Sequence, residues 1–374
     1  MTPIRVLVVD DSVVIRRLVT DLLQDDPDIE VVGTAVNGRA ALGKVDLLEP
    51  DLVTMDIEMP EMNGIEAVRA LRASGSKVPI IMFSTLTEQG AVATLDALAA
   101  GASDYVAKPA NVGSVSRSMD QVREALIPRI KSLVARASVP IARSASAPAA
   151  ARVAAPVARP TLATRSHAED YRLLVVGAST GGPEALNTLF TALPLLPVPV
   201  AVVQHMPPVF TRQFAARLDR HSAWTVTEAE HGQLLTPGTV AIAPGDHHLE
   251  IVASSRGFVA KLHQGPQENY CRPAVDVLFR SAVAAVGPAV LAVVLTGMGS
   301  DGERGADLIR QRGGSVIAQD QATSVVWGMP GAVANAGLAE LVLPLTGVAP
   351  ELVRRLSTLG RAVPSAHMAR EGAR

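Results

Sequence analysis

The sequence predicts two α/β domains, each built on a mostly parallel sheet with helices on both faces, and joined by a linker. Its 374 residues exceed the usual length of one domain. The residues are 48% hydrophobic but only 3% aromatic, so Val, Leu, Ile and Ala must fill the cores, as is typical of parallel sheets. Short β-branched runs alternate with amphipathic stretches on both sides of a central Ala-, Pro- and Arg-rich segment. This alternation predicts parallel strands joined by helices.

The first domain, residues 1–132, is predicted to contain a five-stranded parallel sheet. Amphipathic patterns predict helices between the strands, for example at Val13–Leu23 and Gly64–Ala73. The strand candidates are short apolar runs: Ile4–Val9, Val31–Thr34, Leu52–Met55, Ile80–Phe83 and Tyr105–Val106.

Residues 133–168 are predicted to form a flexible linker. From Val134 to Ala168 there is no acidic residue and no lysine, and repeated prolines interrupt any helix. Such a segment has too little apolar periodicity to form a packed core. An alanine-rich helix over Ala145–Ala155 is the alternative for part of it. The tail, residues 359–374, shows no pattern either and is predicted to be disordered.

The second domain, residues 169–358, is predicted to be a larger, doubly wound and mostly parallel α/β domain. The alternation of strand and helix patterns resumes there and continues to about Leu356. The strand candidates are Leu173–Val176, Val200–Val203, Val240–Ala243, Leu249–Ile251, Val259–Leu262, Leu291–Leu295 and Ser315–Ala318.

Composition and charge exclude several classes of function. A net charge of −2 gives no reason to expect a nucleic acid or an anionic membrane as partner. The one cysteine, Cys271, rules out an intrachain disulfide and suits a reducing cytosol. The run Ile4–Val9 lacks the flanking features of a secretory signal, and apolar runs such as Leu291–Leu295 are too short to cross a bilayer. We therefore expect a cytoplasmic protein without membrane insertion.

Polar residues follow the strands of the first domain where each strand ends. Asp10 and Asp11 follow the first strand, Asp56 the third, Ser84 the fourth and Lys108 the fifth. Because the carboxyl ends of parallel strands meet at one edge, these side chains are expected to converge. Clustered carboxylates favour a hard cation such as Mg²⁺, and an aspartate beside Mg²⁺ and an ammonium can attack a phosphoryl donor. The alternative is that acidic residues at strand ends only cap helices. This explanation suits a single residue such as Asp11 better than the whole set.

The first domain resembles the receiver domains of two-component response regulators, which have a flavodoxin-like fold. The resemblance rests on VLVVDDS, DLVTMDIEMPEMNG, IIMFST and GASDYVAKP. It implies phosphorylation of Asp56 by a histidine kinase. It also implies Mg²⁺ bound by Asp11, Asp56 and the backbone of Glu58, with Asp10 in the same acidic cluster.

The same resemblance assigns three supporting residues around the phosphoryl group. Lys108 neutralises its charge, Ser84 hydrogen-bonds its oxygens, and Tyr105 is the aromatic side chain that rotates in response. The family often has threonine at the position of Ser84, so this chain carries a variant there.

A glycine-rich turn follows the first strand of the second domain. Leu173–Val176 runs into Gly177–Gly182, which contains Ser179 and precedes a helical pattern. This arrangement fits the G-x-S-x-G turn that exposes a nucleophilic serine. A glycine-rich turn of this kind could equally cradle a phosphate, as in nucleotide-binding folds, although it lacks the Lys-Ser/Thr ending of a P-loop. The turn alone does not decide between the two.

Two later segments favour nucleophilic catalysis. His205 follows the strand Val200–Val203, and Asp301 lies in the glycine-rich turn after Leu291–Leu295. Ser179, His205 and Asp301 can therefore meet at one sheet edge as nucleophile, base and orienting carboxylate. Each alone is more often structural. The chain order Ser, His, Asp also differs from that of ordinary α/β-hydrolases.

Two other features are weaker candidates. His247 and His248 resemble a metal-binding pair but lack an acidic or thiolate companion in sequence, so a plain loop is predicted. Cys271 could act as a nucleophile, but the presence of Ser179 disfavours that role.

The second domain resembles the CheB-type chemotaxis protein-glutamate methylesterases, which are also protein-glutamine glutaminases. The resemblance rests on VGASTGGPEAL, VVQHMPPVFT, APGDHHL, RPAVDVLFRS and LTGMGSDGERG. It implies the triad Ser179, His205 and Asp301, an oxyanion hole that includes the Met298 N–H, and a pocket shaped by Thr180.

One departure from the family pattern lies beside this pocket. The chain reads Tyr270-Cys271-Arg272, whereas relatives commonly have histidine before the Arg-Pro pair. Arg272 is retained, so the departure concerns the detail of the pocket.

Together the two resemblances imply a phosphorylation-activated serine hydrolase. Its substrates would be glutamyl methyl esters and glutamines of methyl-accepting chemoreceptors, and it would need Mg²⁺ in the receiver but no cofactor for the hydrolysis. Two other classes stay open: a response regulator whose second domain only binds a partner, and a nucleotide-dependent enzyme that uses the glycine turn.

Overall fold

The computed structural model describes residues 2–108, 115–137 and 171–357. The predicted tail, the alternative helix Ala145–Ala155 and most of the predicted linker lie outside these ranges. The predicted linker start at residue 133 was wrong, because a helix continues to Ala137 and buries Leu133 in the core. In the described ranges no helix has the length and hydropathy needed to span a membrane.

The N-terminal domain contains a five-stranded sheet with the order β2-β1-β3-β4-β5, and every pair of neighbouring strands is parallel. This confirms the predicted sheet. Its elements are β1 (Ile4–Val9), α1 (Val13–Gln24), β2 (Ile29–Ala35), α2 (Gly38–Leu48), β3 (Leu52–Asp56), α3 (Gly64–Ala73), β4 (Ile80–Ser84), α4 (Glu88–Ala99), β5 (Asp104–Ala107) and α5 (Val115–Ala137).

The C-terminal domain contains a seven-stranded parallel sheet with the order β15-β14-β13-β6-β7-β10-β8 and a separate three-stranded antiparallel sheet, β11-β12-β9. Its elements are β6 (Leu173–Ala178), α6 (Gly182–Ala192), β7 (Val200–Gln204), α7 (Phe210–His221), β8 (Thr225–Glu228), β9 (Leu234–Leu235), β10 (Thr239–Ile242), β11 (His248–Ser254), β12 (Gly257–His263), α8 (Val275–Val286), the 3₁₀ turn Gly287–Ala289, β13 (Val290–Val294), α9 (Glu303–Gln311), β14 (Ser315–Gln319), α10 (Met329–Asn335), β15 (Leu341–Leu343) and α11 (Leu345–Leu356).

Three strands of this domain, β8, β9 and β15, were not predicted. They are two to four residues long, and none of them is buried at every position. The central strands β6, β7, β13 and β14 are buried at every position, so they stand out in the sequence as continuous apolar runs.

Local signals explain where the helices of the first domain begin. Ser12 caps α1 by accepting a hydrogen bond from the Ile15 N–H. Asn63 and Glu66 form a reciprocal capping box at the start of α3. A cap of this kind contributes about 1 kcal/mol, and the two helices follow β1 and β3, the strands whose ends carry the acidic cluster.

The direction of chain winding reverses between β6 and β13. From β6 the chain continues on one side to β7, and β13 later pairs with the other side of β6. The loops after these strands therefore diverge at this point and leave a crevice, which is where ligands bind in open α/β sheets.

The two domains are in contact. Helix α4 of the first domain packs against α6 and α7 of the second. Met298, Val325 and Val326 pack against an apolar cluster that is otherwise built from first-domain residues. The carboxyl edge of the second sheet therefore faces the first domain.

Candidate functional site

Ser179, His205 and the loop that holds Asp301 follow three adjacent strands at the winding reversal. Ala178 of β6 pairs with Gln204 of β7, so the next residue of each strand lies at the same level of the edge. The Ser179 N–H donates to the Thr296 carbonyl (3.0 Å), and the His205 N–H donates to the Ala178 carbonyl (3.1 Å). The backbone therefore brings the three predicted catalytic residues to one edge.

The turn at Ser179 depends on closely packed glycines. Gly181, with φ +74°, precedes α6 in the left-handed region, where a side chain is unfavourable. Gly297, in the loop after β13, lies so close that an added Cβ would be 2.8 Å from the Ser179 Cβ. The Gly182 N–H donates to the Ser179 carbonyl (2.7 Å), which closes the turn.

His205 and Asp301 form a buried pair. The His205 Nε2 is 2.8 Å from the Asp301 Oδ2, and the two side chains are 12% and 3% exposed. Burial lowers the pKa of His205, but hydrogen bonds with Asp301 and Cys271 outweigh it and raise this pKa to about 10. Burial raises the pKa of Asp301, whereas its hydrogen bonds with His205 and two backbone N–H groups lower it below its ordinary value. Asp301 is therefore held ionised.

The other acceptor positions of Asp301 are also filled. The Val275 N–H donates to its Oδ2 (2.6 Å), and the Asp276 N–H donates to its Oδ1 (3.0 Å). Both N–H groups belong to the first turn of α8, where the helix favours negative charge. The Asn269 Nδ2 also donates to Oδ1 (2.9 Å). Asn269 and Asp276 were not predicted, because nothing in the sequence indicates that the loop before α8 folds over Asp301.

The second ring nitrogen of His205 contacts Cys271. The His205 Nδ1 is 3.5 Å from the Cys271 Sγ, a thiol of intermediate exposure. Among the described residues, the Ser179 hydroxyl forms no hydrogen bond with His205. With Nε2 directed at Asp301, Nδ1 is the nitrogen that can serve as a base.

Three further residues were predicted for this pocket. The Met298 N–H has no hydrogen-bond partner among the described residues, which leaves it free to donate to a substrate oxygen. Thr180 is buried, and its hydroxyl donates to the Asp104 Oδ2 of the first domain (2.9 Å). Arg272 is directed at Asp246, with its Nε 2.9 Å from the Asp246 Oδ1.

The predicted loop at His247 and His248 is only partly a loop, since His248 begins β11. His248 is buried, and both ring nitrogens are satisfied by the backbone, one at the Pro266 carbonyl (3.0 Å) and one at the Ala274 N–H (3.2 Å). Within the described residues, the acidic cluster of the first domain is the one group of three or more potential metal ligands.

In that cluster, the carboxylates of Asp10, Asp11 and Asp56 offer oxygens that all lie within 4.8 Å of one another. Lys108 Nζ is 2.7 Å from the Asp56 Oδ2 and 3.0 Å from the Asp10 Oδ2. One ammonium cannot neutralise three carboxylates, so this donor set fits a divalent cation. Burial raises the pKa of Asp56, and the charge of Asp10 raises it further. Lys108 lowers this pKa by less, so the net shift is upward.

The acidic cluster opens into a cavity of about 240 Å³. Glu58, Ser84 and Lys108 line this cavity together with Asp11 and Asp56. Asp56, Ser84 and Lys108 of the predicted phosphorylation site therefore lie around one cavity. Tyr105 is the second residue of the neighbouring strand β5.

Two of the supporting residues form contacts away from the carboxylates. The Ser84 hydroxyl accepts a hydrogen bond from the Thr94 Oγ1 (2.6 Å) and donates to the Gly90 carbonyl (3.1 Å). The Tyr105 ring is buried and stacks on Phe210 of the second domain.

Comparisons with known proteins show the family of this chain. The CheB methylesterase family model matches residues 174–352, and the response regulator receiver domain model matches residues 6–119. A protein-glutamate methylesterase/protein-glutamine glutaminase of Nocardioides sp. is 72% identical over 96% of both chains. A protein of the same description from Trichodesmium erythraeum is 44% identical and covers 95% of this chain and 100% of its own. A third, from Caulobacter vibrioides, is 46% identical over 94% of this chain and 98% of its own. The chain therefore belongs to the family of protein-glutamate methylesterase/protein-glutamine glutaminases that carry a response regulator receiver domain.

Proposed function

We propose that this protein is a phosphorylation-activated serine hydrolase that demethylates glutamyl methyl esters and deamidates glutamines on methyl-accepting chemoreceptors. The buried His205–Asp301 pair beside the Ser179 turn is the observation that carries the proposal. Residues 1–132, extended to the end of α5, serve as the receiver domain, and residues 169–358 as the catalytic domain.

The hydrolysis divides into two acyl-transfer steps. Ser179 Oγ attacks the γ-carbonyl carbon of the ester while His205 Nδ1 takes the hydroxyl proton, and Asp301 stabilises the imidazolium through Nε2–H. The Met298 N–H stabilises the oxyanion. His205 then protonates the leaving group, which is methanol from an ester or ammonia from a glutamine. A water molecule, deprotonated by His205, attacks the acyl-enzyme and releases glutamate and Ser179.

The receiver supplies the control. Asp11, Asp56 and the Glu58 backbone would hold Mg²⁺, with Asp10 beside them, and the bound cation would supply positive charge for phosphoryl transfer to Asp56. Lys108 and Ser84 then hold the phosphoryl oxygens. A cytoplasmic histidine kinase is the donor.

The contacts between the domains support inhibition by the unphosphorylated receiver. Thr180, the residue after the nucleophile, donates to Asp104, while Met298 and Val325 pack against the receiver cluster. Phosphorylation that rearranges Ser84 and Tyr105 would loosen these contacts and open the pocket, a population shift driven by a local charge.

The test is methanol release from a methylated receptor fragment, measured with and without Mg²⁺ and a small phosphoryl donor. We expect methanol release to rise when the phosphoryl donor is added, to be unaffected by the donor in Asp56→Ala, and to fall by about 10⁴-fold in Ser179→Ala. The exposed Ser255→Ala variant is the matched control and should behave as the unsubstituted chain. Full turnover by Ser179→Ala would refute the triad. If no form released methanol, the proposed hydrolysis would be refuted and only the assignment of the receiver domain would stand.

A further inference from the structure

A tight turn at Glu268–Cys271 lies over the catalytic pair. The Glu268 N–H donates to the Cys271 carbonyl (3.1 Å), and the Cys271 N–H donates back to the Glu268 carbonyl (2.8 Å). Asn269 and Tyr270 between them both have positive φ, +50° and +61°, as in the two-residue turns that favour asparagine and glycine. The Asn269 side chain is directed towards Asp301, whereas the Tyr270 side chain is 97% exposed.

The Asn269 amide joins two buried carboxylates. Its Nδ2 donates to the Asp301 Oδ1 (2.9 Å) and to the Asp276 Oδ2 (3.0 Å). An amide nitrogen has two hydrogens, so each carboxylate can receive one. Asp276 is 1% exposed and Asp301 is 2% exposed, so water cannot replace this donor without rearrangement of the loop.

The two carboxylates oppose each other electrostatically. Burial raises the pKa of Asp276, and the charge of Asp301 adds to the effect. Asp276 also accepts from the Gly305 N–H (2.7 Å), so it is fixed in place. Arg280 pairs with Glu268 instead of bridging the two carboxylates. The amide of Asn269 is therefore the side-chain donor that the two carboxylates share, in addition to His205 and the backbone N–H groups that keep Asp301 ionised.

We infer that Asn269 is a positioning residue of the hydrolase, an inference that rests on the proposed triad. It holds the Asp301 carboxylate, through Oδ1, in the orientation in which Oδ2 receives the His205 Nε2–H. It does not touch the substrate. An aspartate of the same size would place a third carboxylate there, and alanine would strain the left-handed backbone that asparagine tolerates.

The experiment measures kcat and KM for methanol release by the full chain with Mg²⁺ and a small phosphoryl donor. Asn269→Gly removes the amide and keeps the positive φ. Because a hydrogen bond to a charged group is lost, we expect kcat to fall about tenfold or more while KM stays within roughly twofold. The low-field NMR signal of the His205 Nε2–H should also shift. Ser255→Ala, at an exposed position outside this turn, is the control and should keep the unsubstituted kcat and signal.

A second pair of variants separates positioning from folding. Asp276→Asn in the Asn269→Gly background removes the opposing charge and should restore part of kcat, which a purely structural role would not predict. Asn269→Asp should lose more activity than Asn269→Gly, and if the glycine variant does not fold, the test is the loss of kcat in Asn269→Asp relative to the unsubstituted chain. An unsubstituted kcat in Asn269→Gly or Asn269→Asp would overturn the inference, provided that Ser179→Ala is inactive. An active Ser179→Ala would instead refute the proposed function.

Discussion

Tyr105 of the receiver stacks face to face on Phe210 of the catalytic domain, with ring centroids 4.9 Å apart and planes 4° from parallel. Phe210 is the first residue of α7, five residues after His205. The aromatic residue that the receiver resemblance assigns to signalling therefore packs on the helix that begins just after the proposed catalytic base. In the proposed mechanism, rotation of Tyr105 removes this stacking, so the signal need not travel through the core of either domain.

Charge reversal at the domain interface should activate the enzyme without phosphorylation. The Asp96 Oδ1 of α4 is 2.5 Å from Arg217 NH1 of α7. In Asp96→Lys the two cations repel, so we expect basal methanol release to rise several-fold, and less so at high salt because the pair is partly exposed. Asp21→Lys, on the exposed face of α1, is the control. Unchanged basal release by Asp96→Lys would argue against inhibition through this contact.

A single methyl group at Gly297 should inactivate the enzyme. An added Cβ would lie 2.3 Å from the Met329 Sδ and 2.8 Å from the Ser179 Cβ. We expect Gly297→Ala to cost about 1–3 kcal/mol of unfolding free energy and to displace Ser179, with a large fall in kcat. The stability is measured by denaturant unfolding and the turnover by methanol release.

Gly43→Ala is the matched control for that substitution, because nothing lies within 4 Å of its added Cβ in α2. It should stabilise the helix by about 0.5–1 kcal/mol and leave turnover unchanged. Normal activity of Gly297→Ala would show that the loop after β13 can move away from the nucleophile.

The protonation of His205 should limit the turnover of the unphosphorylated enzyme. Its pKa of about 10 keeps the imidazole protonated at neutral pH, and only the neutral ring can accept the Ser179 proton. Basal kcat/KM should therefore rise about tenfold per pH unit in the neutral range. Asp301 raises the pKa of His205, so Asp301→Asn should lower this pKa. Turnover should still fall, because the carboxylate that stabilises the imidazolium is lost.

An NMR titration of the His205 ring measures this pKa directly. The exposed His231→Gln variant serves to assign the signals and should leave the His205 pKa unchanged. A His205 titration that is the same with and without the Asp301 carboxylate would contradict the role of this pair.

Loss of one carboxylate from the acidic cluster should weaken Mg²⁺ binding. Asp11 is the exposed member of the cluster, so Asp11→Asn changes the ligand charge with little effect on packing. We expect the Mg²⁺ dissociation constant, measured by isothermal titration calorimetry, to rise at least about tenfold. Asp46→Asn, on the exposed surface of α2, should bind Mg²⁺ normally. Equal affinities would place the cation elsewhere.

The sequence by itself determined the five receiver strands, the central strands of the second sheet and the ends of those strands that carry the proposed reactive residues. Buried parallel strands are continuous apolar runs, and the residues that follow them must meet at one edge. It did not reveal the short strands β8 and β15, which are only four and three residues long and are not buried at every position.

Only the tertiary structure decided what surrounds those residues. The Asn269 bridge, the Cys271 contact with His205 and the Thr180–Asp104 hydrogen bond join residues from different loops or different domains. A sequence motif records residues that are adjacent along the chain, whereas these contacts depend on how loops fold over the sheet edge and how one domain docks on the other. The proposed reacting groups could therefore be predicted from local pattern, whereas their orientation and access depend on packing.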